Sequence, residues 1–176
     1  QQGVTQCGTP TGQPKFPIET YQELPDPSSP SDKDWAAVTN PQISWGTIDT
    51  RYAKHRLPQL KKQQLTVLKG WRGERVNAQA VVWTGTEVKD LNFSFTDFKD
   101  KKGNSLSDEA FKAGFIRYVM TDELNKDGRG ACGHRQAVDY DSLLVADPID
   151  TNLKSMSVPA RTVQPIWVQC WIPQSA

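Results

Sequence analysis

Apolar and polar residues alternate with a period of two along much of the chain, and this pattern constrains the fold more than any other feature. Leu91, Phe93 and Phe95 alternate with small polar residues. Successive side chains of a β-strand point to opposite faces, so such a run buries one face and exposes the other. Residues 76–83 repeat the pattern. The two runs are predicted to be neighbouring strands of a hairpin or meander.

Further short runs of strand-like residues follow the same logic, and helical signals are few. The only helical candidates are residues 52–63, interrupted by Pro58, and a short turn capped by Ser107. Many short strands with polar connections indicate an all-β fold, an antiparallel β-sandwich of immunoglobulin-like or jelly-roll-like type with at most short helices. The additional predicted strands are residues 42–45, 65–69, 115–120, 142–146 and 164–172.

The beginning of the chain has a different composition, because six of the twelve prolines fall within its first thirty residues. Proline fixes φ and lacks a backbone donor, so this stretch supplies neither a helix nor a central strand. We therefore expect an extended lead-in over residues 1–35 and a β-sandwich over residues 36–176.

Charge and hydropathy exclude two classes of function. With 21 Lys and Arg against 20 Asp and Glu, the net charge is +1, which gives no basic field for a nucleic-acid partner. The longest apolar runs fall far short of the roughly 20 residues that cross a bilayer. The chain begins with Gln1 and has no apolar signal segment, so we expect a mature or trimmed form.

Three cysteines lie far apart in the sequence. Cys170 falls inside an apolar strand pattern and is interpreted as a small core residue, which leaves Cys7 and Cys132 as a candidate disulfide pair. Cys132 and His134 supply only two of the ligands that a zinc site needs. No metal site and no cofactor are therefore predicted.

No catalytic motif is present. The sequence contains no nucleophile elbow, phosphate-binding glycine loop or dinucleotide-binding fingerprint. Acidic pairs such as Asp122 and Glu123 occur in segments predicted to be loops, where carboxylates are usually solvated. We therefore predict no catalytic residue in this chain.

Six tryptophans form the main candidate contact set, because flat aromatic rings stack on sugars and also fill domain interfaces. Burial within the sandwich or at an interface is the commoner fate of such residues. Trp83, Trp167 and Trp171 are predicted to project opposite the aliphatic faces of their strands. These three are therefore the better candidates for carbohydrate or interdomain contact.

A charged segment precedes the strand predicted at residues 76–83. It begins with Trp71 and contains Arg72 and Arg75. The two arginines are either a clamp for an anionic ligand or partners of Glu74 in a network that fixes the strand start, and the second reading is favoured.

Five segments, taken together and in order, resemble the N-terminal β-sandwich domain of proteins similar to glycoside hydrolase family 123. The resemblance runs from about residue 40 to the end of the chain, and none of its segments is a catalytic signature. The segments are QISWG at residues 42–46, WRGERVNAQ at 71–79, IRYVMTDE at 116–123, DSLLVAD at 141–147 and TVQPIWV at 162–168.

The resemblance implies a bacterial protein that is secreted, periplasmic or anchored at the outer surface. In that family the sandwich precedes a (β/α)8 barrel, whose adjacent Asp-Glu pair removes β-linked N-acetylgalactosamine with help from the substrate's acetamido group. The barrel would begin beyond Ala176, so Asp122 and Glu123 are not that pair. The resemblance also suggests that the sandwich has further strands after Ala176.

These implications favour a non-catalytic accessory domain that packs against a downstream catalytic barrel acting on glycans containing N-acetylhexosamine. Two alternatives remain open. One is an independent carbohydrate-binding module that uses exposed tryptophans, and the other is a structural domain of the cell surface.

Overall fold

Antiparallel β-structure dominates the computed structural model, which describes Glu23, residues 30–121 and residues 143–175. A four-residue helix, α1 (Asp32–Trp35), comes first, and a single 3-10 turn (Asp108–Ala110) lies mid-chain. The strands in these ranges are β1 (Gln42–Gly46), β2 (Arg75–Thr84), β3 (Val88–Asn92), β4 (Phe98–Lys99), β5 (Ser105–Leu106), β6 (Phe111–Thr121), β7 (Leu143–Asp150), β8 (Ser155–Val158) and β9 (Thr162–Trp171).

The main sheet has five strands in the order β1-β2-β9-β6-β7, and every pairing in it is antiparallel. Its centre is the ten-residue pairing of β2 with β9, from Arg75 opposite Trp171 to Thr84 opposite Thr162. Strands β3 and β8 form a second, two-stranded sheet, and β4 and β5 form a short hairpin. The predicted all-β antiparallel sandwich is confirmed.

Both faces of the main sheet are covered, and we name them by their covers. On the sandwich face, Phe115 and neighbouring small residues pack beneath Leu91 of β3 and Met156 of β8. On the helix face, Val81 and Val163 pack with Trp35 of α1 and with side chains from residues 47–63. Val81 and Val163 have no exposed surface, and complete burial of such a side chain stabilises the fold by about 1.5 to 3 kcal/mol.

Glu23, from the Pro-rich lead-in, lies against an irregularity in the pairing of β6 with β7. Its carboxylate accepts hydrogen bonds from Lys54 Nζ at 2.7 Å, Arg117 Nε at 3.0 Å and the Tyr118 amide at 3.3 Å. The register shifts between Ile116 and Tyr118, so the carboxylate receives an amide at the point where the ladder is disrupted. Burial raises the pKa of Glu23, but the hydrogen bonds from Lys54 and Arg117 outweigh it and hold the pKa below its ordinary value of 4.5.

Three local predictions are wrong. Residues 52–63 contain no helix, because Pro58 interrupts them and their apolar side chains are held individually on the helix face. Residues 65–69 form no strand, since they pair with no other segment of the described chain. The run at residues 91–95 leaves its strand after Asn92, although Phe93 and Phe95 still point inward against the sandwich face.

The predicted pairing of consecutive strands is also wrong. Strand β2 pairs with β1 and β9, whereas β3 pairs with β8 in the second sheet. The turn at residues 85–87 therefore carries the chain from one layer of the sandwich to the other. The predicted Ser107 cap is confirmed, because Ser107 Oγ accepts a hydrogen bond from the Glu109 amide at 3.2 Å.

Candidate functional site

An apolar groove of about 710 Å³ opens on the sandwich face, where the two-stranded sheet leaves part of the main sheet uncovered. Its floor is formed by alternate residues of the central strands, Val76 and Ala78 of β2 with Val168 and Cys170 of β9. Period-two alternation explains this floor, because these residues share one face of their strands. Two of the four side chains are small, so the floor is recessed.

The first wall of the groove is residues 64–68, which run past the outer edge of β1. They are fixed there by Trp45, whose amide donates to Gln63 O and whose indole Nε1 donates to Gln64 O, both at 3.2 Å. Beyond this anchor, Leu65 is 86% exposed although it lines the groove. The wall therefore presents apolar side chains without a covering layer.

The second wall is aromatic and lies above β6. The rings of Phe93 and Phe115 are 5.2 Å apart between centroids, those of Phe95 and Phe111 5.4 Å, and those of Phe98 and Phe111 4.0 Å. Aromatic contacts at these separations stabilise the arrangement beyond simple area burial. This wall is a packed ridge, and half of the Phe98 side chain faces solvent.

The chemistry of the groove is that of a contact surface. Cys170 is the only ionisable residue that lines it, and burial raises the pKa of the Cys170 thiol. As predicted, Cys170 is a buried free cysteine. Hydrolysis of a glycoside by general acid and base needs carboxylates in the cleft, and the groove lining supplies none.

The structure contradicts the assignment of Trp83 as a contact residue. Trp83 is 7% exposed and packs with Trp35 and Val81 on the helix face. The prediction assumed that one face of β2 would be buried, whereas α1 and residues 47–63 cover the other face as well. Trp167 is half-buried, and its indole Nε1 donates to Asn77 Oδ1 at 3.2 Å.

Trp71 and Trp171 are the tryptophans with the most exposed surface among the described residues, at 84% and 40%. The Arg75 guanidinium lies over the Trp171 ring, 5.2 Å from its centroid, in a cation–π contact that the strand pairing creates. We call Trp71, Arg75 and Trp171 the aromatic patch. It lies on the helix-face side of β9, away from the apolar groove.

The favoured network between Glu74 and the arginines does not form. Glu74 Oε2 instead accepts a hydrogen bond from the Trp71 amide at 2.6 Å, which closes the turn before β2. Arg72 has no ion-pair partner within the described ranges, and its role as a ligand contact stays a prediction.

Several predicted residues cannot be placed. Cys7, Cys132 and the pair Asp122 and Glu123 lie outside the described residues. In the part of the chain that is described, no group of three His, Cys, Asp or Glu side chains is arranged to hold a metal. No helix in that part is both long and apolar enough to span a membrane.

Sequence reasoning missed Glu23 and the groove walls. Glu23 stands in a Pro-rich segment without periodicity, and its cationic partners are 31 and 94 residues away. The strongest sequence signal for the groove was the apolar run at residues 65–69, which was assigned to a strand.

Comparison with known proteins identifies relatives of this fold. The family model for the glycoside hydrolase 123 N-terminal domain matches residues 45–176. Among solved structures, a family 123 glycoside hydrolase from Clostridium perfringens, studied for glycolipid glycan hydrolysis, matches with a TM-score of 0.62 and 21% sequence identity. The match covers 78% of this chain and 22% of that chain. No curated protein matches.

Proposed function

The chain belongs to the glycoside hydrolase 123 N-terminal domain family, and we propose that it acts as a non-catalytic accessory domain within a longer glycoside hydrolase. The observation that carries this proposal is the chemistry of the apolar groove. A large cleft without carboxylates is suited to packing against another protein surface. The chain spans only 22% of the Clostridium perfringens enzyme, which leaves ample room for a separate catalytic region.

The catalytic partner that we propose is a downstream (β/α)8 barrel in the same polypeptide. We propose glycans that contain N-acetylhexosamine as its substrates, on the strength of the resemblance to family 123. The same resemblance supports a location outside the bacterial cytoplasm, whether secreted, periplasmic or anchored at the outer surface.

Two exposed groove residues allow a test that leaves the core of the domain intact. Replacing Leu65 and Leu68 with Lys places charge on the first wall, where both side chains already contact solvent. In the complete polypeptide, we expect the double variant to unfold at a lower temperature and to lose hydrolysis of an aryl N-acetyl-β-hexosaminide after mild heating. Desolvating a lysine against an apolar partner surface is the cause.

The matched control is Ile48→Lys, because Ile48 is an exposed apolar residue that does not line the groove. We expect this variant to behave as the unmodified protein does. Equal stability of the double variant and the control would contradict the proposed packing role. Hydrolysis by residues 1–176 alone would contradict the non-catalytic role.

A second candidate function is carbohydrate binding by the aromatic patch. The exposure of Trp71 and the positioning of Trp171 by Arg75 favour it, since solvent-facing rings can stack on sugars. Calorimetric titration with amino-sugar oligosaccharides at millimolar concentration tests it. Heat of binding that disappears in Trp71→Ala and Trp171→Ala would support this function, and a flat titration would exclude it.

A further inference from the structure

We infer that the apolar groove is the seat of a pair of β-strands that extends the second sheet of the sandwich. The occupant is an extended, alternately apolar segment from the catalytic region of the same polypeptide. This inference rests on the proposed accessory function and specifies the contact by which it operates.

The backbone of the two walls supports a strand partner. Residues 65–69 and residues 93–96 are extended segments in which no backbone group pairs with another backbone group of the described chain. Such unpaired edges are templates for the addition of a strand. A helix or an acyl chain would fill the groove but would leave both edges without partners.

The spacing of the main sheet sets the width of the occupant. The first wall is fixed beside β1, and the second wall stacks on β6. In the order β1-β2-β9-β6, these strands are three spacings apart, or about 14 Å at roughly 4.8 Å per spacing. Two strands inserted between the walls create three such spacings, so a pair fits where a single strand would reach only one wall.

The floor of the groove specifies the side chains of the occupant. Ala78 and Cys170 are small and are flanked by Val76 and Val168, so the floor offers depressions between low ridges. Protein interiors are close-packed, and large apolar side chains at alternate positions of the added strands would restore that density. With Cys170 as its only ionisable lining residue, the floor offers no ion-pair partner to a charged side chain.

Hydrogen exchange in the complete polypeptide, followed by mass spectrometry, tests the pairing of both walls. Unpaired surface amides exchange near their intrinsic rates, whereas paired amides are slowed. We expect peptides spanning residues 65–69 and 93–96 to exchange at least about 100-fold more slowly than their intrinsic rates. In Leu65→Lys we expect at least about tenfold faster exchange at both walls, and in Ile48→Lys no change. Intrinsic rates at either wall would overturn the inference.

Photo-crosslinking identifies the occupant. A benzoylphenylalanine in place of Leu65 in the complete polypeptide should crosslink to a segment that follows Ala176, while the same group in place of the exposed Lys101 gives no such product. A crosslink to a second copy, to a lipid or to residues 1–29 would overturn the assignment, and so would the absence of any crosslink. If the groove is empty but the double Lys variant still loses stability, the inference fails while the accessory function stands.

Discussion

Replacing Glu23 with Gln should destabilise the domain, although Glu23 belongs to a segment that looks like a linker in the sequence. Its carboxylate is a common acceptor for Lys54, Arg117 and the Tyr118 amide, and all three charged side chains are about five-sixths buried. Glutamine keeps the shape of the side chain but removes the charge, which leaves two cations near each other without their shared anion.

The magnitude follows from the contacts. Hydrogen bonds to charged groups are each worth about 1.5 to 3 kcal/mol, and breaking a fully buried pair costs about 3 to 5 kcal/mol. The side chains retain some exposure, and Arg117 keeps Asp150 Oδ2 at 3.4 Å, so we expect a loss of about 2 to 3 kcal/mol. For a domain of this length, that loss lowers the melting temperature by roughly 5 to 10 °C.

The same carboxylate gives the effect a defined pH dependence. The pKa of Glu23 is lower in the folded protein than its ordinary 4.5, so its contribution to stability is complete above that value. The contribution is lost as the pH falls through the folded-state pKa, because the carboxylate is then protonated. The stabilities of the unmodified protein and Glu23→Gln should therefore converge in acid.

Urea unfolding monitored by tryptophan fluorescence, at neutral pH and at successively lower pH, measures both effects. The control is Asp32→Asn, since Asp32 makes an exposed ion pair with Arg161 whose loss should cost less than about 0.5 kcal/mol. Equal stability of Glu23→Gln and the unmodified protein at pH 7 would refute the reasoning. A difference that stays constant into acid would refute the electrostatic origin.

Three further predictions use the same unfolding assay. Trp83→Ala should cost about 3 to 5 kcal/mol because it empties a packed site, whereas Trp71→Ala should change stability by less than about 0.5 kcal/mol; similar losses would contradict the assignment of faces. Gly85→Ala should cost at least about 1 to 3 kcal/mol, because the new Cβ would lie 1.7 Å from the Val38 carbonyl oxygen; an unchanged midpoint would show that this contact does not exist. Tyr118→Phe should cost about 1 to 2 kcal/mol, since its buried hydroxyl donates to a backbone carbonyl of β9; a neutral substitution would argue against that bond.

The strands of the main sheet were largely predictable because their signal is local. Predicted strands at residues 42–45, 76–83 and 164–172 correspond to β1, β2 and β9 within one or two residues at each end. Each contains β-branched or aromatic residues with a period of two, which indicates a strand whatever its partner. The Ser107 cap was predictable for the same reason, since a cap depends on residues a few positions apart.

The remaining features depend on contacts between distant residues. Strand β2 reaches its partner β9 about eighty residues later, and nothing in either strand specifies that pairing. Trp83 was misplaced because its burial depends on α1 and residues 47–63, which cover the second face of β2. Residues 65–69 have the composition of a strand but no partner among the described residues, and the inferred strand pair would explain both facts.

A crystal structure of the complete polypeptide would test the central claim most directly. The account predicts that two extended strands from the catalytic region lie between residues 65–69 and 93–96 and cover Val76, Ala78 and Val168. A groove open to solvent, with the catalytic region attached elsewhere or absent, would contradict it.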